Sequence, residues 1–379
     1  MSSRLSTSTS AMLMTLVIFG SACTSEDSIG SPAEGIVQNL LRKDSHLRVG
    51  PDVWETFICR IPETYDDDLY DMSGVRLVES ADWITAQLEP VTDYFERWSN
   101  GRYVAEFRVG GDIHGDVGGA EECVDVALDR SAEDVDGVLV VADAQHREDR
   151  VGGWGRGGHQ CDAPCSVRES KRAIYLGAAD FVSGPVVLDL VEHEFGHALD
   201  WPHSFRYEPY DSEIDVMSDS AAPRRKNVMN LHAPGVLAIN RYLSGWMEIE
   251  PFVLDATAGG VIDIDSARFG LVPTAPTRAI SVEVIDKVSD YQHLESGGVV
   301  VHLIDWGPRS CDNPVGVNGV GGRFCLGAAR SQRLMAPVMN RDGVIRSGER
   351  VDVDGVTIIV ESITEVSGSM TASIRWEMT

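Results

Sequence analysis

The stretch VEHEFGHALDWPHS, residues 191–204, carries histidines at 193, 197 and 203 and a glutamate at 194. Its reading decides the fold, because it states whether these groups meet at one metal ion. Upstream, SGPVVLDL (183–190) offers Ser183 as a cap and Pro185 in a first turn, and nothing breaks the pattern before Gly196. Val187, Val191, Phe195 and Ala198 recur at spacings of four and three, which predicts a largely buried helix. On that helix His193 and His197 are one turn apart and point the same way. Both imidazoles can then bind one zinc ion, with Glu194 beside the water on that metal.

A catalytic zinc takes three protein ligands and keeps a fourth position for water. A continuous helix would aim His203 elsewhere, so the chain must turn sharply after about Leu199. Pro202 stops the helix. Asp200 stands where a left-handed residue is wanted, and aspartate tolerates that conformation better than most residues, although glycine does so at lower cost. His203 then swings back to the metal. Asp200 itself is a second candidate third ligand, since a short oxygen donor also suits zinc. Glu213 is another, in a thermolysin-like arrangement, but RYEPYDSEIDV (206–216) lacks the helical period that such a ligand requires.

These residues resemble the extended zinc signature of the metzincin metallopeptidases, H-E-x-x-H-x-x-G-x-x-H, with Asp200 in place of the family glycine. Within that clan the chain is most similar to the secreted gametolysin-like and immune-inhibitor-A-like peptidases. In those, a histidine-serine pair, a D-V-M-G-like turn and an N-A-P segment leading to L-G-W follow in order. Here they read PHS (202–204), DVMS (215–218) and LHAPGVLAINRYLSGW (231–246), and YQHLESGGVVVHLID (291–305) resembles a strand of the following β-domain. Ser218 and His232 are further departures, replacing a glycine and an asparagine. The resemblance implies a Met-turn at Met217, with Met229 as a rival. It also implies a substrate-pairing edge strand at RAIYLGAA (172–179), on Ala173, Ile174, Tyr175 and Leu176. The implied fold is an α/β, metzincin-like catalytic domain with a twisted mixed sheet and an active-site helix, followed by an all-β domain.

Patterns outside the signature agree with that division. WETFICRIP (54–62) and RYVAEFRVGG (102–111) alternate, ADWITAQLEPVTDYFERWSNG (81–101) has helical spacing, and GVLVVAD (137–143) suits a strand buried on both faces. Beyond residue 250, GGVIDIDS, RAISVEVID, GVVVHLID, GERVDVDGVTIIVESI and SMTASIRWE are short runs split by Gly, Pro and Asp. The expected boundaries are a signal peptide at 1–22, a tether at 23–45, a catalytic domain at 46–250 and a β-rich domain at 251–379.

The leader reading rests on Arg4 before AMLMTLVIFG (11–20), an apolar run too short to span a bilayer, and on the small residues of GSAC (20–23). The protein is therefore expected to be exported. FGSAC also resembles a bacterial lipobox, with Gly20 departing from the usual leucine, so lipid attachment at Cys23 and ordinary cleavage both stay open. Setting Cys23 aside leaves six of the seven cysteines, an even number suited to three disulfides. Proximity favours Cys161 with Cys165 and Cys311 with Cys325, leaving Cys59 for Cys123.

The 379 residues carry 59 acidic and 32 basic side chains, a net charge of −27. No basic run tracks a phosphate backbone, which argues against a nucleic-acid partner. Solubility, a salty environment or calcium sites would each explain the acidity. No G-x-S-x-G elbow supports a serine hydrolase, and GVNGVGGRF (316–324) lacks the strand and helix of a phosphate loop. His159 reads as a loop residue. Tyr207 and Tyr210 offer either packing or a hydroxyl for a developing oxyanion.

The expected function is a zinc-dependent endopeptidase with Glu194 as general base and a protein or peptide as substrate. The alternative is an inactive or latent zinc-binding surface protein acting as a binding module, and a site closed by four protein ligands would favour it. A cysteine switch is open only if Cys59 is a free thiol. The pattern carries no signal of oligomeric state.

Overall fold

A parallel sheet needs crossover connections that cover its faces, and the first half of the chain supplies them. The computed structural model describes residues 33, 35–38, 41, 47–65, 68–115, 117, 119–147, 152–158, 166–182, 185–208, 210–226, 230–287, 291–306, 331–367 and 369–379. The leader 1–22, Cys23, His159, Cys161, Cys165, Ser183, Pro209, Met229, the 316–324 loop, Cys311 and Cys325 lie outside the described residues.

Five strands, β1 (Gly50–Cys59), β2 (Tyr103–Ile113), β3 (Gly137–Ala142), β4 (Gly153–Arg156) and β5 (Arg172–Leu176), form a sheet in the order β2-β1-β3-β5-β4. All neighbours are parallel except β4, which runs antiparallel to β5 at the edge. β3 is buried along its whole length, as GVLVVAD predicts. β1 lies between β2 and β3 with seven of its ten residues buried, including the consecutive run Thr56–Cys59, so the alternation expected there is overridden by cover on both faces.

One face is covered by α1 (Ala81–Gln87) and α2 (Glu89–Trp98). The single helix expected over 81–101 is thus two, interrupted at Leu88. Pro90 in the first turn of α2 explains the break, because it has no N–H to continue the ladder. The other face is covered by α3 (Ala120–Arg130), and a disulfide from Cys59 on β1 to Cys123 on α3 ties helix to sheet. With Cys59 buried in that bond, it cannot serve as a thiol switch.

A further helix, α4 (Asp189–Ala198), carries the signature and lies against β4 and β5. It starts at Asp189 rather than near Pro185, because the Val187 and Leu188 N–H groups are held by the Asp180 and Leu231 carbonyls. Val191, Phe195 and Ala198 join the core, with the Phe195 ring 4.5 Å from Trp54 and 5.1 Å from Phe95. The helix is largely buried, as its spacing predicts.

After α5 (Ala238–Leu243) the described elements are all strands. A six-stranded sheet has the order β6-β12-β11-β10-β9-β7 and a four-stranded sheet the order β13-β14-β15-β8. The first comprises β6 (Ser204–Phe205), β7 (Phe252–Val253), β9 (Gly270–Ala275), β10 (Arg278–Ile285), β11 (Gly298–Asp305) and β12 (Ser331–Met335). The second comprises β8 (Gly260–Asp265), β13 (Arg350–Val353), β14 (Val356–Val366) and β15 (Ser369–Met378). Ile280, Val282, Val299 and Val301 face the four-stranded sheet across a shared core. The opposite face of the six-stranded sheet packs Phe269, Leu271, Val300 and Ile304 against Leu237, Ile239 and Leu243. Val37 and Leu41 enter the same core, so packed structure begins before the expected start near residue 45. Their apolar spacing of one helical turn is the signal that the tether reading passed over.

The Cys59–Cys123 bond closes a loop of sequence separation 64. Opening it with Cys59→Ala/Cys123→Ala is expected to cost about 4 kcal/mol of stability through the freed unfolded chain. Urea denaturation of the double variant beside the parent checks this.

Candidate metal centre

The end of α4 decides where His203 goes. Asp200 has φ +67°, the left-handed conformation the sequence calls for at that position. Its N–H donates to the His197 carbonyl at 3.0 Å, and the Trp201 N–H donates to the Gly196 carbonyl at 2.9 Å. This pair of bonds is a Schellman ending, which satisfies the last helix carbonyls and reverses the chain. The Asp200 carboxylate adds what a glycine could not, an ion pair with Arg48 at 2.9 Å. Beyond the turn, Ser204 pairs in parallel with Gln332 of β12, the Gln332 amide donates to the Pro202 carbonyl at 3.2 Å, and the Ser204 N–H donates to Met217. His203 is thus pinned on both sides.

The three imidazoles converge. His203 Nε2 lies 2.9 Å from His197 Nε2 and 3.3 Å from His193 Nε2, and the ligand atoms all fall within 4.8 Å of one another. His193 Nδ1 is 2.7 Å from the Val216 carbonyl and His197 Nδ1 is 3.0 Å from the Trp201 carbonyl. A carbonyl only accepts, so both Nδ1 atoms carry the proton and donate, leaving both Nε2 atoms as bare lone pairs. A proton on His203 Nε2 can satisfy only one of its two contacts, whereas a cation among the three nitrogens satisfies all of them. Tetrahedral bonds of about 2.0–2.1 Å would set zinc-bound nitrogens about 3.3 Å apart, close to the spacing here.

Burial sets the charge states. It lowers His193 to about 4 against the Val216 bond, and lowers His203 to about 3 with help from His193. His197 is pushed well below the ordinary range by burial and by its two histidine neighbours. All three are therefore neutral donors at pH 7. Burial raises the Glu194 carboxyl to about 8, opposed by the Gly155 N–H. β4 approaches so closely that a Cβ on Gly155 would lie 1.9 Å from the Glu194 carbonyl oxygen, so only glycine fits there.

Met217 lies beneath the cluster, fully buried, in a turn closed by the Ser218 N–H on the Asp215 carbonyl. A Cβ on Gly196 would meet the Met217 sulfur at 2.2 Å, which accounts for the small residue in the middle of the helix. The same turn presents the Val216 carbonyl to His193. The other departures also have partners: Ser218 Oγ accepts from the Ser212 N–H at 3.0 Å, and His232 meets Glu192 at 2.5 Å while stacking on Tyr94. Glu192, buried on the far side of α4, also accepts from the Ala233 N–H at 2.7 Å.

One expectation is corrected. Ala173, Ile174, Tyr175 and Leu176 have no free edge, because β5 is interior, paired with β3 on one side and β4 on the other. β4, the GWGR segment beside α4, ends the sheet; its many glycines gave it little strand signal. Glu213 is not in the cluster: it pairs with Lys226. Asp200 is turned to Arg48 and is likewise outside it. Tyr207 is exposed beneath the Arg206 guanidinium, whereas the Tyr210 hydroxyl lies 3.2 Å from His203 Nε2. Burial, and then the Glu194 charge, push that phenol up to about 12. The Val216 carbonyl and Gln332 were not legible as site residues. No second cluster of three His, Cys, Asp or Glu donors forms among the described residues, so the calcium reading gains no site.

No protein-family model matches this chain, and no curated protein is significantly similar to it.

His203→Ala is expected to weaken binding of a metal ion at the cluster by more than the 10–100-fold typical of losing an outer partner, read by chelator competition with added zinc. Asp215, buried under the Met217 turn, is pushed up to about 7 by burial, with Ser204 and the Met217 and Leu237 N–H groups opposing. A carboxyl with a raised folded pKa holds its proton more tightly when folded. Stability present below about 4 is therefore lost as pH rises toward about 7, by up to a few kcal/mol. Asp215→Asn should flatten that decline in denaturation curves of the metal-free chain.

Proposed function

We propose that this chain is an exported, metzincin-like zinc endopeptidase acting on extended protein segments. The observation that carries the reading is the meeting of two chemistries on one helix. Three neutral imidazole nitrogens converge within 4.8 Å, and the adjacent carboxyl of Glu194 is buried and makes no ion pair among the described residues. Three imidazoles suit several transition metals; zinc is favoured by an acid placed beside a three-ligand set, the pattern of hydrolytic sites. A closed structural site would need a fourth protein donor, and the cluster has three among the described residues.

Bound zinc supplies a Lewis acid that acidifies water and polarises a carbonyl. Glu194, buried and next in the chain to His193, is placed to take a proton from the attacking water and return it to the leaving amine. The water oxygen bonds to the carbonyl carbon as the C=O π pair moves onto oxygen; the carbonyl then re-forms as the amide C–N bond breaks and the amine leaves with the proton. The Val216 and Trp201 carbonyls hold the two helix imidazoles in the tautomer that leaves Nε2 open. β4 offers an extended peptide the open side of a sheet edge next to the centre. The Cys59–Cys123 bond supports an oxidising compartment, with a lipid on Cys23 or plain leader cleavage completing export.

Glu194→Gln should lower the rate of casein hydrolysis about 10²–10⁴-fold while zinc stays bound. Equal rates in parent and variant would overturn the reading.

A further inference from the structure

We propose that Tyr210 is the hydroxyl that holds the scissile carbonyl oxygen of a bound peptide over the three-histidine centre, an inference that rests on the peptidase reading above. Its Oη lies 3.2 Å from His203 Nε2, the nitrogen on which the other two imidazoles converge. The phenol ring stands edge-on to His203 at 5.0 Å and tilted to His193 at 5.8 Å. The residue is 45% exposed, so the ring borders the open side of the centre rather than filling a core.

The backbone shows that this placement is enforced. Tyr210 has φ +63°, a conformation that a bulky side chain adopts only under constraint. The Asp211 carboxylate accepts the N–H groups of Arg206, Tyr207 and Glu208 at 2.6, 2.6 and 2.9 Å, closing the loop on itself. Arg206, largely buried, donates to the carbonyls of Asn340 at 2.8 Å and Pro337 at 2.9 Å, and its own carbonyl accepts from Arg333 at 3.0 Å. The β-rich region thus clamps the loop that aims the phenol.

The lone pair on His203 Nε2 is the one a metal takes. In the loaded protein the phenol proton is then left for an oxygen of the substrate, and a fixed donor aimed where negative charge develops stabilises the transition state more than the ground state. The donation forms and breaks no covalent bond at Tyr210.

The test compares the zinc-loaded parent with Tyr210→Phe and Glu194→Gln. It uses a fluorogenic peptide built on a sequence cut in casein, a phosphinic peptide as a tetrahedral oxyanion mimic, and chelator competition for zinc. For Tyr210→Phe, kcat is expected to fall about 100-fold with KM nearly unchanged. The phosphinic peptide should lose affinity by a similar factor, and zinc affinity should hold. Parental kcat and phosphinic affinity in Tyr210→Phe, with hydrolysis abolished in Glu194→Gln, would overturn the role of Tyr210 and leave the peptidase reading standing. Weaker zinc binding in Tyr210→Phe would make the phenol a metal ligand instead, and overturn the role too. Zinc binding without hydrolysis by any of the three proteins would remove the peptidase reading and this inference with it.

Discussion

The site depends on one reversal of the chain. His193 and His197 are brought together by helical spacing alone, but His203 reaches them only because α4 ends at a left-handed residue. The 6→1 bond from Trp201 to Gly196 and the ion pair from Asp200 to Arg48 hold that ending. A non-glycine residue at positive φ is unfavourable by roughly 1 kcal/mol, and the Arg48 contact is what offsets it here. Arg48 comes from the segment that leads into β1, so the turn is tied to the start of the sheet as well as to the helix.

Each remaining layer bears on that cluster. β4 supports α4 from the sheet side at a distance only glycine allows, and delivers the Gly155 N–H to Glu194. The Met217 turn supports it from below and supplies the carbonyl that orients His193. The six-stranded sheet fixes the exit, since β6 begins one residue after His203 and pairs with β12. The region beyond residue 250 is therefore built into the site through Gln332, Arg333 and the carbonyls of Pro337 and Asn340. Neutral, buried imidazoles and a buried carboxyl are costly to assemble, and this surrounding framework makes the arrangement stable enough to exist.

The histidine positions, the buried helix, the left-handed Asp200, the all-buried β3 and the Cys59–Cys123 pair were legible, because each depends on local spacing or on counting. What stayed hidden depends on distant partners. The start of α4 is set by carbonyls of Asp180 and Leu231, which no local pattern reveals. β4 reads as a glycine-rich loop until the helix beside it is known, and so the edge was placed on β5, whose apolar run has the stronger strand signal. Tyr210 was visible only as one of two tyrosines. Its backbone strain and the clamp from Arg206 separate it from Tyr207.

The most direct measurement is X-ray absorption at the zinc edge of the loaded chain. Three imidazole nitrogens and a further oxygen from solvent are expected, with one nitrogen lost in His203→Ala. A sulfur donor, only two imidazoles, or a shell unchanged by His203→Ala would contradict an open centre built from His193, His197 and His203.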